Sequence, residues 1–463
     1  MPPEKSAYAL ARYSRSADSI RQSIDWVRTH NSQQFLESYY FQYGHQSIAD
    51  LGHTVLCFEG ISELAASEIE DEVLWDGQAK SSRYQDFSKS GFIAPPELTG
   101  ADADLYQSAG QALLAGYQQI HGLMDIWLRE QLPRPESMKP DAYGRNIAAR
   151  AFDVARYLLF WGVPTNVGQV TSIRTLEKQI RRLRVSEFAE VRELGLEIAE
   201  ACATTPDCIW AEGASEPLAP TLARHADPDD YLQRSNADLA LWARQNLRIA
   251  AAAPPPRVDL IRPADTLSEI AATLLYPVCD HSFRSLYDTV REWSAALRAE
   301  VLDVALQSKA SRDDMLRGFR GGQYCYDMLI DVGAYRDMHR HRRCHQYRQP
   351  YAGKHGYDVP KALTDAGADA PYRAAMDAAL ATMQRLPQPA RQYLLPFGAR
   401  SRFLFKMDFA EAEYISRVRS GVKGHFSYRE IAWEMKLRLE EQEPELGRLI
   451  QATPPWIEDP LKR

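Results

Sequence analysis

The 463-residue chain reads as an α+β protein made of two tandem copies of one helix-rich unit, and three observations predict this. The segment ARYLLFWG at 155–162 returns as ARQYLLPFG at 390–398. Each copy runs on through a helical stretch to an arginine cluster, RRLR at 181–184 and RVR at 417–419, and then to an acidic helix, EVRELGLEIAE from Glu190 and EIAWEMKLRLEE from Glu430. Between the copies lies AAAAPPPR at 250–257, whose prolines forbid continued helix and stiffen a linker. The predicted units are residues 1–253 and 257–463, each long enough for a domain.

In the first unit, ALARYSRSADSIRQSIDWV at 9–27 corresponds loosely to TLLYPVCDHSFRSLYDTV at 273–290 in the second. Residues 39–62 begin amphipathic and helical, and His53 to Phe58 reads as a strand. Ser62 to Ala79 continues as an acidic helix, closed by KSSRYQDF. In the second unit, QYCYDMLIDV at 323–332 alternates Tyr324, Tyr326, Met328 and Ile330 against Cys325, Asp327, Leu329 and Asp331, the period of a half-buried strand. That strand delivers YRDMHRHRRCHQYRQPY at 335–351.

Composition narrows the function classes. A net charge of −7 argues against a general nucleic-acid binder, which carries a broad basic face. No apolar run reaches membrane-spanning length, Met1 to Lys5 opens no signal peptide, and six cysteines without a CxxC pair suit a reducing compartment, so the expected location is cytoplasmic. There is no Gly-rich dinucleotide fingerprint, P-loop or HExxH.

Against that acidic background, Arg336 to Arg348 holds five arginines and three histidines with a single aspartate. Three readings compete. The run is a solvated face; or it is an anion cradle, because guanidinium forks pair with phosphate and stay charged wherever they are placed; or His339, His341, Cys344 and His345 bind a metal, a reading that the interleaved arginines oppose.

Arg340-His341-Arg342, following the strand's Ile330, resembles the signature of the flavin-dependent thymidylate synthases, in which an Arg-His-Arg triplet is followed by a Ser and then by Arg-Tyr. Here Pro350 and Ala352-Gly353 stand in those later places. The first half is degenerate in the complementary way: Asp71-Glu72-Val73 replaces the triplet, while Ser81 and Arg83-Tyr84 are intact. Gly44-His45 with Ser47 matches the family's Gly-His-x-Ser, and Ile61-Ser62-Glu63 stands for its Ile-Ser-Arg. The family's Asn-Ala-Arg turn has become Ser172-Ile173-Arg174 and Asp408-Phe409-Ala410.

The resemblance implies two tandem copies of a flavin-dependent thymidylate synthase-like domain, helix-rich with a small, mostly antiparallel sheet in each. It implies FAD as cofactor, NADPH and methylene-tetrahydrofolate as co-substrates, and one-carbon transfer (methylation) to a pyrimidine nucleotide such as dUMP. No protein nucleophile is required, so the protein supplies placement and charge. Carried over by position, Arg340, His341 and Arg342 face flavin and nucleotide, and His45, Ser47 and His425 touch the flavin. Ser81, Arg83 and Arg391 hold the nucleotide phosphate. Arg419 meets the pyrimidine edge, where positive charge favours ionisation of a ring nitrogen. The family's homotetramer shares its sites between chains, so the expectation here is one composite site per pair of unlike halves, with a homodimer forming a tetramer-like assembly of four domains. The alternative is a divergent or non-catalytic paralogue that binds flavin or a different pyrimidine nucleotide. Duller roles exist for single residues: His45 or Ser47 as a helix cap, Arg83 paired with Asp86, and Arg417 and Arg419 beside Glu411 and Glu413 on an exposed helix.

Overall fold

The computed structural model describes residues 1–42, 46–72, 74–83, 85–206, 216–230, 233, 257–261, 265–275, 283–307, 319 and 324–461. In the first half β1 (His53–Ser62), β2 (Asp76–Ala79) and β3 (Pro164–Ser172) make an antiparallel sheet with β3 central. The second half repeats it with β5 (Tyr324–Asp331), β6 (His345–Arg348) and a central β7 (Arg400–Met407). It also adds β4 (Val258–Ile261) on the free side of β5. Burial alternates strictly along β7 and nearly so along β5, as expected of strands with one face on the core. The proline linker at 250–256, and with it the boundary between the units, lies outside the described residues.

Four strands run directly into helices, and each junction is capped by the strand's last residue or the one after it. In the first half the caps are serines: Ser62 accepts from Ala65 N–H and Ser172 from Thr175 N–H. In the second half they are aspartates: Asp331 accepts from Ala334 N–H and Asp408 from Glu411 N–H. Each satisfies one otherwise unpaired donor of the first helical turn.

The acidic helix expected from Ser62 to Ala79 stops at Glu70, and Asp76–Ala79 is instead the edge strand β2. Glu70, Asp71 and Glu72 place like charge at a helix C-terminus, where the helix dipole is already negative. Gly77 then sits so close to the Gly168 carbonyl and the Trp75 ring that a Cβ would collide with both, which fixes β2 against β3.

The two repeated segments found in the sequence pair with each other about an approximate two-fold axis. Phe160 bridges Pro396. Around them Trp161 N–H donates to Leu395 O and Phe397 N–H to Leu159 O, while Gly162 N–H donates to Tyr393 O and Gly398 N–H to Tyr157 O. The helix starts obey the same axis: Glu63 and Leu64 N–H meet Val163 and Trp161 carbonyls, as Val332 and Gly333 N–H meet those of Ala399 and Phe397. This register aligns Ser62 with Asp331 and Arg156 with Gln392. The long helix Gly100–Gln131 packs on Pro140–Ala155 and on Asp369–Met383 of the other half, and one apolar core runs through both.

Candidate functional site

The basic stretch begins on the helix Val332–Met338 and turns at the triplet before entering β6. The Gln346 amide pins the turn by donating towards the carbonyls of Met338, His339 and His341. Arg340 is exposed and has no ion pair or hydrogen bond among the described residues. His341 is buried and held from two sides: Arg419 Nε–H donates to its Nε2 at 2.7 Å, and its Nδ1 faces Glu411 Oε1 at 3.4 Å. Because Nε2 accepts, the ring's proton belongs on Nδ1. Burial holds His341 below the ordinary histidine value, with Glu411 opposing and Arg419 reinforcing that shift. Arg342 crosses to the first half, pairing with Asp76 over the Trp75 ring.

The first half meets this turn with the loop 80–83. Arg83 is buried, its Nε 2.6 Å from Asp153 Oδ1, and it donates from Nη1 to Tyr428 Oη at 2.9 Å and from Nη2 to the Lys423 carbonyl at 3.1 Å. Asp153, not Asp86, is its counter-ion. Tyr428 joins the two halves: the guanidinium carbons of Arg83 and Arg419 lie 5.8 and 5.6 Å from the centre of its ring. One turn before Arg340, Asp337 lies 2.8 Å from Nη2 of Arg156. Burial raises the Asp337 carboxyl, but Arg156, Arg336 and Arg83 together hold it below the usual carboxylate range. Arg156 is fully buried, and its Nε and Nη1 meet no partner among the described residues.

Beside the triplet runs a groove of about 1480 Å³, lined by Arg340, His341, Arg342, Arg343 and Arg419 from the second half and by the outer faces of β1 to β3 from the first. The groove therefore belongs to both halves. A second, smaller cavity of about 760 Å³ lies behind Asp153 and is roofed by Pro455 and Trp456.

The remaining expected residues fall unevenly around this centre. Ser81 is half-buried on the loop, its Oγ accepting from Arg83 N–H. Ser47 is exposed on a short turn whose Asp50 borders the groove. His45 and Tyr84 lie outside the described residues. His425 is turned away: it is fully buried, caps the helix Phe426–Gln442 through Nδ1, and directs Nε2 at the Asp153 carbonyl at 2.7 Å. Both ring nitrogens are engaged by the protein, so a flavin contact through them is excluded in this geometry. Arg391 is half-buried beside Gln388. The two-fold register puts it opposite Ala155, and it donates to the side-chain oxygen of Gln388. The arginine that reaches the triplet helix is Arg156. Arg83, for its part, directs its donors at protein groups. Arg417 pairs with Glu413 along its own helix, whereas Arg419 turns to His341.

Sequence reading missed Arg156, Asp337 and Tyr428, gave Arg336 no role beyond opening the basic run, and set Glu411 on an exposed helix, whereas it is buried against His341. Arg156 carried a usable signal, because aligning LLFWG with LLPFG without a gap sets it against Gln392 and marks the first copy as the one that kept the charge. His339 faces Asp71 at 3.5 Å, and no three His, Cys, Asp or Glu side chains converge on a metal position among the described residues. No described helix is long and apolar enough to cross a membrane.

At the mirror position the same scaffold carries the opposite charge. Glu72, aligned with His341, is paired with Arg182 at 2.9 Å, and Glu68, aligned with Asp337, pairs with Arg348. Gln392 stands for Arg156 and Ala352 for Arg83. The loop Arg and the buried arginine are both missing there.

The family model described as thymidylate synthase complementing protein matches residues 1–205 and 267–445. A UPF0159 protein of Chlamydia muridarum is 27% identical over 418 residues, covering 85% of this chain and 76% of its own length. A UPF0159 protein of Thermoplasma acidophilum is 22% identical over 487 residues, covering 96% of this chain and 94% of its own. The crystal structure of the flavin-dependent thymidylate synthase ThyX from Helicobacter pylori, complexed with FAD and dUMP, matches at 13% identity and a TM-score of 0.30, covering 42% of this chain and 98% of that one.

Proposed function

We propose that this chain, which belongs to the thymidylate synthase complementing protein family, is a flavin-dependent enzyme that transfers a one-carbon unit to a pyrimidine nucleotide such as dUMP. Units 1–253 and 257–463 together build one working site per chain. The observation that carries this reading is the convergence at the junction of the halves: Arg83 and Arg419 flank Tyr428, and Arg156 holds the helix that leads to Arg340.

The residues fit the groups the reading requires. Arg156, fully buried and outside the lining of the groove, serves by holding Asp337 and with it the triplet helix, while half-buried Ser81 on the loop suits the nucleotide phosphate. Arg83, saturated by Asp153, Tyr428 and Lys423, contributes charge and orients that pair rather than offering donors. Arg340 and Arg343, exposed on the groove, suit the phosphates of FAD, with Ser47 on the turn whose Asp50 borders it. When bound, reduced FAD supplies the hydride, with NADPH as reductant and methylene-tetrahydrofolate as the one-carbon donor. Arg419 is aimed by neutral His341, so its guanidinium keeps a fixed direction beside the groove, where positive charge stabilises an ionised pyrimidine. A second chain roofs the groove: the outer sheet face leaves Val55 at 63% and Leu74 at 70% exposed, as a homodimer of four domains requires.

Purified protein is expected to be yellow and to bind dUMP, and the gene to support growth of a thymidine-requiring strain. A colourless protein that takes up no added FAD rejects the reading. Growth failure with flavin and nucleotide both bound favours a second reading, a divergent paralogue acting on a different pyrimidine nucleotide, which the capture of Arg83 by Asp153 supports.

A further inference from the structure

We infer that Arg336 is a positioning residue that clasps the loop 80–83 of the first half onto the triplet helix of the second, so that the phosphate-binding side of the site exists only while the halves are held together there. This rests on the reading that loop and triplet serve one nucleotide site.

Three donors of one guanidinium cross between the halves. Nε–H reaches Glu63 Oε2 at 2.6 Å, Nη1 reaches Ser82 Oγ at 3.0 Å, and Nη2 reaches the Lys80 carbonyl at 3.0 Å. The guanidinium also lies 5.5 Å from the centre of the Phe397 ring. The pair is well shielded, with Arg336 and Glu63 side chains 10% and 2% exposed. A planar fork fixed at all three nitrogens sets direction as well as distance. Among the described residues the loop is also tied by Lys80 N–H to Asn166 O, by Arg83 N–H to Ser81 Oγ and by the Arg83 side chain, which reaches Asp153, Tyr428 and the Lys423 carbonyl. Arg336 holds the Lys80–Ser82 end of the loop, and with it Ser81, relative to Arg340, four residues further along its own chain segment.

The clasp is one-sided. Under the two-fold register Arg336 aligns with Ser67 and Glu63 with Val332, so neither member exists at the mirror position. There the matching segment keeps the counterpart of the Lys80 tie, Gln349 N–H to Arg402 O, adds Tyr351 N–H to Gln392 Oε1, and is held across the halves by Arg348 on Glu68. The mirror tie from Arg348 to Glu68 is a single ion pair, whereas the Arg336 fork reaches loop 80–83 through Ser82 Oγ and the Lys80 carbonyl as well as Glu63. Glu63 also occupies the place where the family pattern has an arginine, so the charge pattern has been exchanged across the junction rather than lost.

Hydrogen exchange on the full chain reads loop 80–83 without any ligand. Arg336→Lys keeps a cation beside Glu63 but loses the fork; exchange at 80–83 is expected to quicken roughly tenfold, with the helix Ala189–Ala203 unchanged, and dUMP to bind roughly tenfold more weakly by calorimetry. The double variant E63R/R336E re-forms an ion pair, yet a glutamate at 336 cannot donate to Ser82 or Lys80. Its thermal midpoint should recover relative to R336E alone, while loop exchange and dUMP affinity should not. Unchanged exchange in Arg336→Lys, or recovery of all three quantities in the double variant, overturns the inference; if the double variant does not fold, Arg336→Lys decides alone. Should the unaltered chain bind no dUMP while Arg336→Lys still loosens the loop, the functional reading fails and the clasp stands.

Discussion

Where the first half joins Ser62 to Glu190, the second joins Asp331 to Ser427. Ser62 donates from Oγ and from N–H to the Glu190 carboxylate at 2.6 and 2.9 Å. At the aligned positions the carboxylate has moved to the strand end, and Ser427 donates back to Asp331. A tyrosine of the opposite half completes the first arrangement, Tyr393 Oη donating to Glu190 at 2.8 Å; in the second, Tyr157 lies against Asp331 and Ser427. The contact has been kept while donor and acceptor changed sides. Duplication within one chain permits this, because the backbone needs one acceptor and one donor at each junction but does not care which strand supplies them. The functional positions diverge further. Arg340 and His341 align with Asp71 and Glu72 across the axis, and there the acidic residues Glu68 and Glu72 are engaged in internal ion pairs with Arg348 and Arg182.

That contrast can be broken most forcefully at Arg83. Arg83→Ala leaves the Asp153 carboxylate buried without its partner and is expected to lower stability by about 3–5 kcal/mol in urea denaturation. The same change at half-buried Arg391, outside the cluster, should fall within about 0.5–1 kcal/mol. Equal losses would mean that the two halves treat their arginines alike.

Next in size is a pH effect confined to the junction. Burial pushes the Glu63 carboxyl up to about 7 against the pull of Arg336, while Glu70 adds to the rise. A carboxyl that holds its proton more tightly when folded contributes stability that is fully present below its ordinary value near 4.5 and is lost as pH rises through about 7. Stability should therefore decline across that interval, and Glu63→Gln should flatten the slope. Asp331, pushed by burial up to about 6, adds a smaller decline of the same sign. A profile that Glu63→Gln leaves unchanged would remove Glu63 as its source.

Arg340 supplies the sharper functional contrast. It is exposed and makes no ion pair or hydrogen bond among the described residues, so Arg340→Ala should leave stability unchanged, yet weaken flavin or nucleotide binding by about 1.5–3 kcal/mol. Asp71→Ala, at the mirror position, should leave binding unchanged in the same titration. The smallest effect is at His341: Arg419→Ala removes a cation beside the ring and should raise its midpoint, read by NMR, while Glu411→Gln should lower it.

Much of the architecture was legible because it is written twice. The paired LLFWG and LLPFG segments, the alternating strand before the triplet and the arginine clusters at the ends of matching helices all appear in the structure at corresponding places. What escaped was short or depended on distant partners. β2 spans Asp76–Ala79, too short for alternation to declare itself, and β4 follows the linker with only four residues. The inserted residue in ARQYLL disguised the true mate of Arg156 and drew attention to Arg391. His425 matched a pattern, but its neighbours Asp153 and Ser427 make it a cap. The carboxylates that neutralise Arg83, Arg156 and Arg336 come from remote parts of the chain, and local sequence holds no record of that pairing.

The mutual pairing of the two repeated segments has a practical corollary. Since each supplies the backbone partners the other needs, the halves produced as separate polypeptides should reassociate, and complementation between them would report the junction directly. The first half alone would be driven to mate with itself, setting Arg156 opposite a second Arg156 and recreating, in a symmetric particle, a charge balance that the fused chain has abandoned.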